Sequence, residues 1–117
     1  MVVLVIAQSR AAFDRWLARN ARPAAPAASA GKQVFLSQAC ADCHQIRGTD
    51  AHGTVGPDLT HFASRTTIAA VRVKNDPADL SKWLRHPQEL KPGSKMPDLA
   101  LSSTDWRALE TYMESLR

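Results

Sequence analysis

The apolar positions change period near the start of the chain. Val2 to Ile6 form an unbroken aliphatic run rich in β-branched residues, which predicts a short buried strand over 2–7. From Ser9 the period lengthens. Phe13, Trp16 and Leu17 recur at i, i+3 and i+4 behind an N-cap serine, which predicts a helix over 9–20. Residues 22–30 carry two prolines and nothing large to bury, and read as a linker. Residues 31–117 then read as a string of helices. Val34 and Phe35 mark the first, leading straight into Cys40. Residues 45–63 hold Gly48, Gly53, Gly56 and Pro57 and read as irregular. Ser64–Val73 is expected to hold one short helix. Asp76-Pro77 opens another, running through His86 with Leu80, Trp83 and Leu84 on one face. Residues 87–101 read as an extended loop. Ser102 and Asp105 start a last helix bearing Trp106, Leu109, Met113 and Leu116. No segment alternates as a strand does, so the module is expected to be all-α around a loop-rich middle.

A strand and a helix within some 20 residues cannot bury a core of their own. Residues 1–21 therefore read as the end of a larger domain, and residues 31–117 as a compact module. There is no apolar run of membrane-spanning length. Charge is uneven. The net +4 sits mostly in the N-terminal segment, where Arg10, Arg15, Arg19 and Arg22 face only Asp14. The module carries 11 Lys+Arg against 10 Asp+Glu, a balance of +1. Without a dense basic cluster and interleaved aromatics, no nucleic-acid partner is expected.

Cys40-Ala-Asp-Cys43-His44 is the Cys-x-x-Cys-His attachment sequence of haem c. Two thiols one helical turn apart can each add to a haem vinyl group. The next side chain, His44, is then carried beneath the ring to bind iron. A redox Cys-x-x-Cys would follow a strand in a βαβ unit, whereas a helix leads in here. A zinc site would need two more ligands, for which His44, His52 and His61 match no zinc spacing. Candidates for the sixth iron ligand are Met96, Met113 and the histidines His52, His61 and His86. Met113 falls in the apolar stripe of the last helix and reads as core. Met96 sits in a polar, proline-stiffened loop, Lys91-Pro-Gly-Ser-Lys-Met96-Pro97, where a sulfur gains little from burial and makes sense pointing at a metal. With both axial positions filled, the iron is expected to carry one electron and not to catalyse a bond change. No catalytic residue is expected.

Residues 31–117 resemble a class I cytochrome c. They are most similar to the cytochrome c domain fused to subunit II of caa3-type cytochrome c oxidases. The carrying segments are Cys40–Gly48, Gly53-Thr-Val-Gly-Pro-Asp-Leu-Thr60, Trp83-Leu-Arg-His-Pro-Gln88 and Lys91–Pro97. The resemblance implies one covalent haem c per chain, with His44 and Met96 on the iron and Cys40 and Cys43 as thioethers. It also implies a hydrogen bond from His44 to the Pro57 carbonyl, with Trp83 and Arg65 as partners of the haem propionates. Phe35 and Trp106 or Tyr112 would let the first and last helices cross near the ring. Residues 1–21 resemble the C-terminal remnant of a binuclear copper, cupredoxin-like domain. Its copper ligands lie upstream, so copper is not expected in this fragment. Met1 stands either where the last such ligand would or as a start residue.

The implied place is the periplasmic side of a bacterial inner membrane, anchored through missing upstream segments. The implied partners are an electron donor (a cytochrome c or a quinol–cytochrome c reductase), the copper domain and the other oxidase subunits. A free-standing soluble monohaem cytochrome c serving another redox system is the alternative.

Overall fold

Residues 2–24 and 29–117 are described by the structure, a computed structural model. Six α-helices carry the fold among them: α1 (Arg10–Asn20), α2 (Ala30–Ser37), α3 (Cys40–Cys43), α4 (Pro77–Arg85), α5 (Pro87–Leu90) and α6 (Ser103–Ser115). Two small antiparallel ladders accompany them. β1 (Gln45–Ile46) pairs with β2 (Ala51–His52), and β3 (Thr67–Ile68) with β4 (Val73–Lys74).

The helix starts follow their caps. Ser9, Ser29, Asp76 and Ser102 each accept a backbone N–H of the first turn through the side chain. α2 and α6 cross at close range because residue 31 is glycine. A Cβ there would lie 2.0 Å from the Ala108 carbonyl oxygen. The Phe35 and Tyr112 rings meet edge-on across this crossing, at 6.1 Å. Trp106 has a different neighbour: the Arg85 guanidinium lies over its ring, and Arg85 also pairs with Glu110 at 3.0 Å, tying α4 to α6. Phe35, Ile46, Leu80, Leu109, Tyr112 and Leu116 are buried between these elements.

Four expectations are corrected. Residues 2–7 form no strand. They run without a ladder partner among the described residues, and Val2 to Ile6 are exposed. A strand needs a neighbour to take its backbone groups. Ser64–Val73 forms no α-helix. A 3₁₀ turn, Phe62–Ser64, precedes the β3–β4 hairpin, whose tip holds Ala69, Ala70 and Val71 at φ of 54°, 60° and 66°. That left-handed run cannot continue a right-handed helix. The Asn75 side chain closes the loop by donating to the carbonyls of Phe62 and Arg65. The proline-rich stretch after α4 is not wholly extended, since Pro87 starts the short α5. The ladders also mean that the module is not purely helical, although helix dominates.

The segment read as a linker is built in at both ends. Ala24 is buried and donates its N–H to the Arg47 carbonyl. Ser29 caps α2. Met1 and residues 25–28 lie outside the described residues. Among the described residues no helix is long and apolar enough to cross a membrane.

Candidate functional site

α3 is a single turn and holds both thiols, with His44 as its C-cap residue. Chain 43–47 then runs beside loop 56–60. The Gly56 N–H donates to the Cys43 carbonyl at 2.7 Å, Leu59 N–H to the Gln45 carbonyl at 2.8 Å, and Arg47 N–H to Thr60 Oγ1 at 2.9 Å. This pairing brings the Pro57 carbonyl to 2.8 Å from His44 Nδ1. A carbonyl only accepts, so Nδ1 carries the proton and Nε2 is left free as a ligand. Gly56 faces the ring directly. A Cβ there would lie 2.4 Å from His44 Cε1 and 2.6 Å from Nδ1.

His44 opens into a cavity of about 640 Å³. Cys40, Cys43 and Met96 line the same space. Phe35 and Leu59 supply apolar wall, and Trp83 and Arg65 line it as well. The size lies within the range of cofactor and ligand sites, and the lining is largely apolar. Of the expected pocket leucines, Leu59 and Leu99 reach the cavity, whereas Leu101 packs against the core instead. His52, His61 and His86 are not on its wall. Met113 is, but it is buried in the apolar stripe of α6.

Arg65 donates to the Asp58 carbonyl and rests over Phe62, with its guanidinium carbon 5.9 Å from the ring centre. Desolvation lowers its pKa and the Asp58 charge opposes that shift. Burial raises the Cys40 thiol, a backbone hydrogen bond opposes it, and Cys43 and Asp42 add to the rise. A redox-active Cys-x-x-Cys depends on the opposite shift. Among the described residues no three His, Cys, Asp or Glu side chains come together as a metal cluster, so the zinc alternative has no ligand set there.

Two supporting residues escaped the sequence reading. Gln88 organises the methionine loop. Its side-chain amide donates to the carbonyls of Ser94 and Met96, and its carbonyl oxygen accepts the Gly93 N–H. Its only sequence signal was its place in the Pro87-Gln88 pair. Asp58 organises the histidine side. Its carboxylate accepts from the Thr60 hydroxyl and N–H and faces Arg47 Nε at 3.3 Å. Slight burial acts to raise its pKa, but the Thr60 hydrogen bonds and the charges of Arg47 and Arg65 outweigh it and hold the carboxyl below its ordinary value.

The donor set therefore fits covalent haem: two thiols, one oriented imidazole and one thioether around an apolar space. A family model for cytochrome c matches residues 28–117. Cytochrome c oxidase subunit 2 of Alkalihalophilus pseudofirmus is 36% identical over 118 residues, covering 97% of this chain and 34% of that protein. The same subunit of Bacillus sp. strain PS3 is 33% identical over 115 residues, covering 90% and 32%. That of Bacillus subtilis is 30% identical over 95 residues, covering 77% and 26%. The chain spans about a third of the length of these relatives or less. The family match runs through the whole cavity-bearing region, and the chain belongs to the cytochrome c family.

Proposed function

We propose that the chain is a one-electron carrier domain holding one covalent haem c, and that it serves within a cytochrome c oxidase subunit II. The observation that carries this reading is the convergence of Cys40, Cys43, His44 and Met96 on one largely apolar cavity. Haem c supplies a one-electron Fe(III)/Fe(II) couple when bound. Cys40 and Cys43 hold it as thioethers, so a small chain retains a large ring without spending binding affinity on it. His44 would bind the iron through Nε2, and Pro57 fixes its tautomer and would strengthen it as a donor. Met96 would offer its thioether sulfur to the iron, from a loop that Gln88 keeps in place. Trp83 and Arg65 offer an indole N–H and a guanidinium to the propionates.

The relatives' printed role supports the oxidase setting. In that setting, electrons arrive from a cytochrome c or a quinol–cytochrome c reductase. They leave for the copper centre of the same subunit, on the extracytoplasmic face of the membrane. Residues 1–21 are then the end of the copper domain.

The deciding experiment is an absorption spectrum, oxidised and reduced, with a pyridine haemochrome assay, on protein made with the haem-attachment machinery. Low-spin c-type bands and a weak long-wavelength sulfur-to-iron band are expected. Haem without the sulfur band would remove Met96 from the iron. A colourless protein would overturn the carrier reading.

A further inference from the structure

The C-terminal end of α1 is seated on the haem-binding region by contacts to its carbonyl groups. Arg47 donates from one terminal nitrogen to the Ala21 carbonyl at 3.1 Å and from the other to that of Asn20. His61 Nε2 donates to the Arg22 carbonyl at 3.0 Å. Two residues on, the Ala24 N–H returns to the Arg47 carbonyl at 2.9 Å. The last carbonyls of a helix have no partner within it and carry partial negative charge, so a guanidinium is well matched to them. The same guanidinium forms an ion pair with Asp58, Nε to Oδ2 at 3.3 Å, although Nε itself makes no hydrogen bond. Asp58 adjoins Pro57, whose carbonyl holds His44. Arg47 is thus shared between the α1 seat and the loop that orients the iron ligand.

We propose that Arg47 is a positioning residue that couples the docking of residues 20–24 to the orientation of His44. The planar fork of arginine can donate to two carbonyls while its charge stays beside a carboxylate, which a point-charge ammonium does less well. While α1 is seated, the guanidinium has little rotational freedom and clamps loop 57–60 against chain 43–47. When α1 leaves, Arg47 loses two of its anchors and the clamp loosens. In a longer parent chain, whatever α1 is attached to would then be mechanically linked to the proximal ligand. This inference rests on the haem reading given above.

The test perturbs one side and reads the other, in the full-length haem-loaded chain. Leu17→Pro breaks α1 from the outside without changing any charge. Exchange of the His44 Nδ1 proton, followed by NMR, is expected to accelerate about tenfold, the worth of one hydrogen bond. The midpoint potential is expected to rise, because a less firmly held imidazole donates less to Fe(III). Arg47→Met should accelerate the same exchange. The double variant should add nothing further, as coupling through one residue requires. Wild-type exchange and potential in Leu17→Pro would overturn the proposal, leaving the α1 seat as packing alone. Additive effects in the double variant would overturn it too. Should Arg47→Met fail to accumulate, Leu17→Pro still decides. A colourless wild-type chain would mark failure of the haem reading instead.

Discussion

Replacing Gly56 by alanine tests the claim that the His44 ring is held by close backbone approach. The added methyl carbon would stand 2.4 Å from Cε1, 2.6 Å from Nδ1 and 3.0 Å from Nε2 of the imidazole. The first two are closer than a Cβ can stand and the third is tight, and the ring cannot give way freely, since its Nδ1 proton is bound to the Pro57 carbonyl at 2.8 Å. Either the ring swings and that hydrogen bond breaks, or loop 56–60 moves and the Gly56-to-Cys43 bond breaks with it. Overpacking costs about 1–3 kcal/mol, and a lost hydrogen bond adds roughly 0.5–1.5 kcal/mol. The expected destabilisation is therefore about 1.5–4.5 kcal/mol. With a slope of about 3 kcal/mol per molar in guanidinium chloride, the unfolding midpoint of the haem-loaded protein should fall by about 1 M. The His44 Nδ1 proton should also exchange faster with solvent. Gln33→Ala is the control, because Gln33 is exposed on α2 and off the cavity wall, and its shortening should leave the stability within roughly 0.5 kcal/mol. An unchanged midpoint and an unchanged Nδ1 proton in Gly56→Ala would refute the reasoning.

Met96→Leu should abolish the sulfur-to-iron band with the fold kept, whereas Met113→Leu, a volume-conserving change in the buried stripe of α6, should keep the band; loss in the second variant alone would exchange their roles. Gln88→Ala removes three hydrogen bonds from the methionine loop and should speed displacement of the sulfur by added imidazole at least about tenfold, read by stopped-flow absorbance. The Asp58 carboxyl is held below its ordinary value, so the stability it contributes is fully present above the unfolded pKa of about 4 and is lost as pH falls through the lower folded value. The melting-temperature difference between wild type and Asp58→Asn should accordingly be constant near neutrality and shrink in acid. The module's balance of 11 Lys+Arg against 10 Asp+Glu leaves little field for steering, so its rate of electron uptake should depend weakly on ionic strength in stopped-flow mixing; a steep dependence would contradict this.

The parts of the molecule legible in the sequence are those fixed by covalent spacing or by caps. Cys40, Cys43 and His44 are neighbours in the chain and stay neighbours in any fold. Ser9, Asp76 and Ser102 announce their helices because a cap acts within one turn. What stayed hidden depends on who stands beside whom. Val2–Ile6 has the composition of a strand, and composition is silent about whether a partner is there to take its hydrogen bonds. Ser64–Val73 read as a short helix, and the hairpin found there is closed by Asn75 reaching back to Phe62 and Arg65, a contact that local pattern does not show.

Gln88 and Asp58 stand in the segments that carry the resemblance, but their roles were hidden for the same reason. Each is an ordinary polar residue in sequence, and each gains its role only once its hydrogen-bond partners, up to eight residues away, have been brought round to it. In the proposed site Cys40, Cys43 and His44 are thus written locally, while the approach of Met96 and the orientation of both candidate ligands are written in the fold. It follows that the variants most informative about the proposed site are not at Cys40, Cys43 or His44, whose loss is expected to remove the cofactor outright. They are at Gly56, Asp58, Gln88 and Arg47, where the cofactor stays and only the hold on its ligands changes.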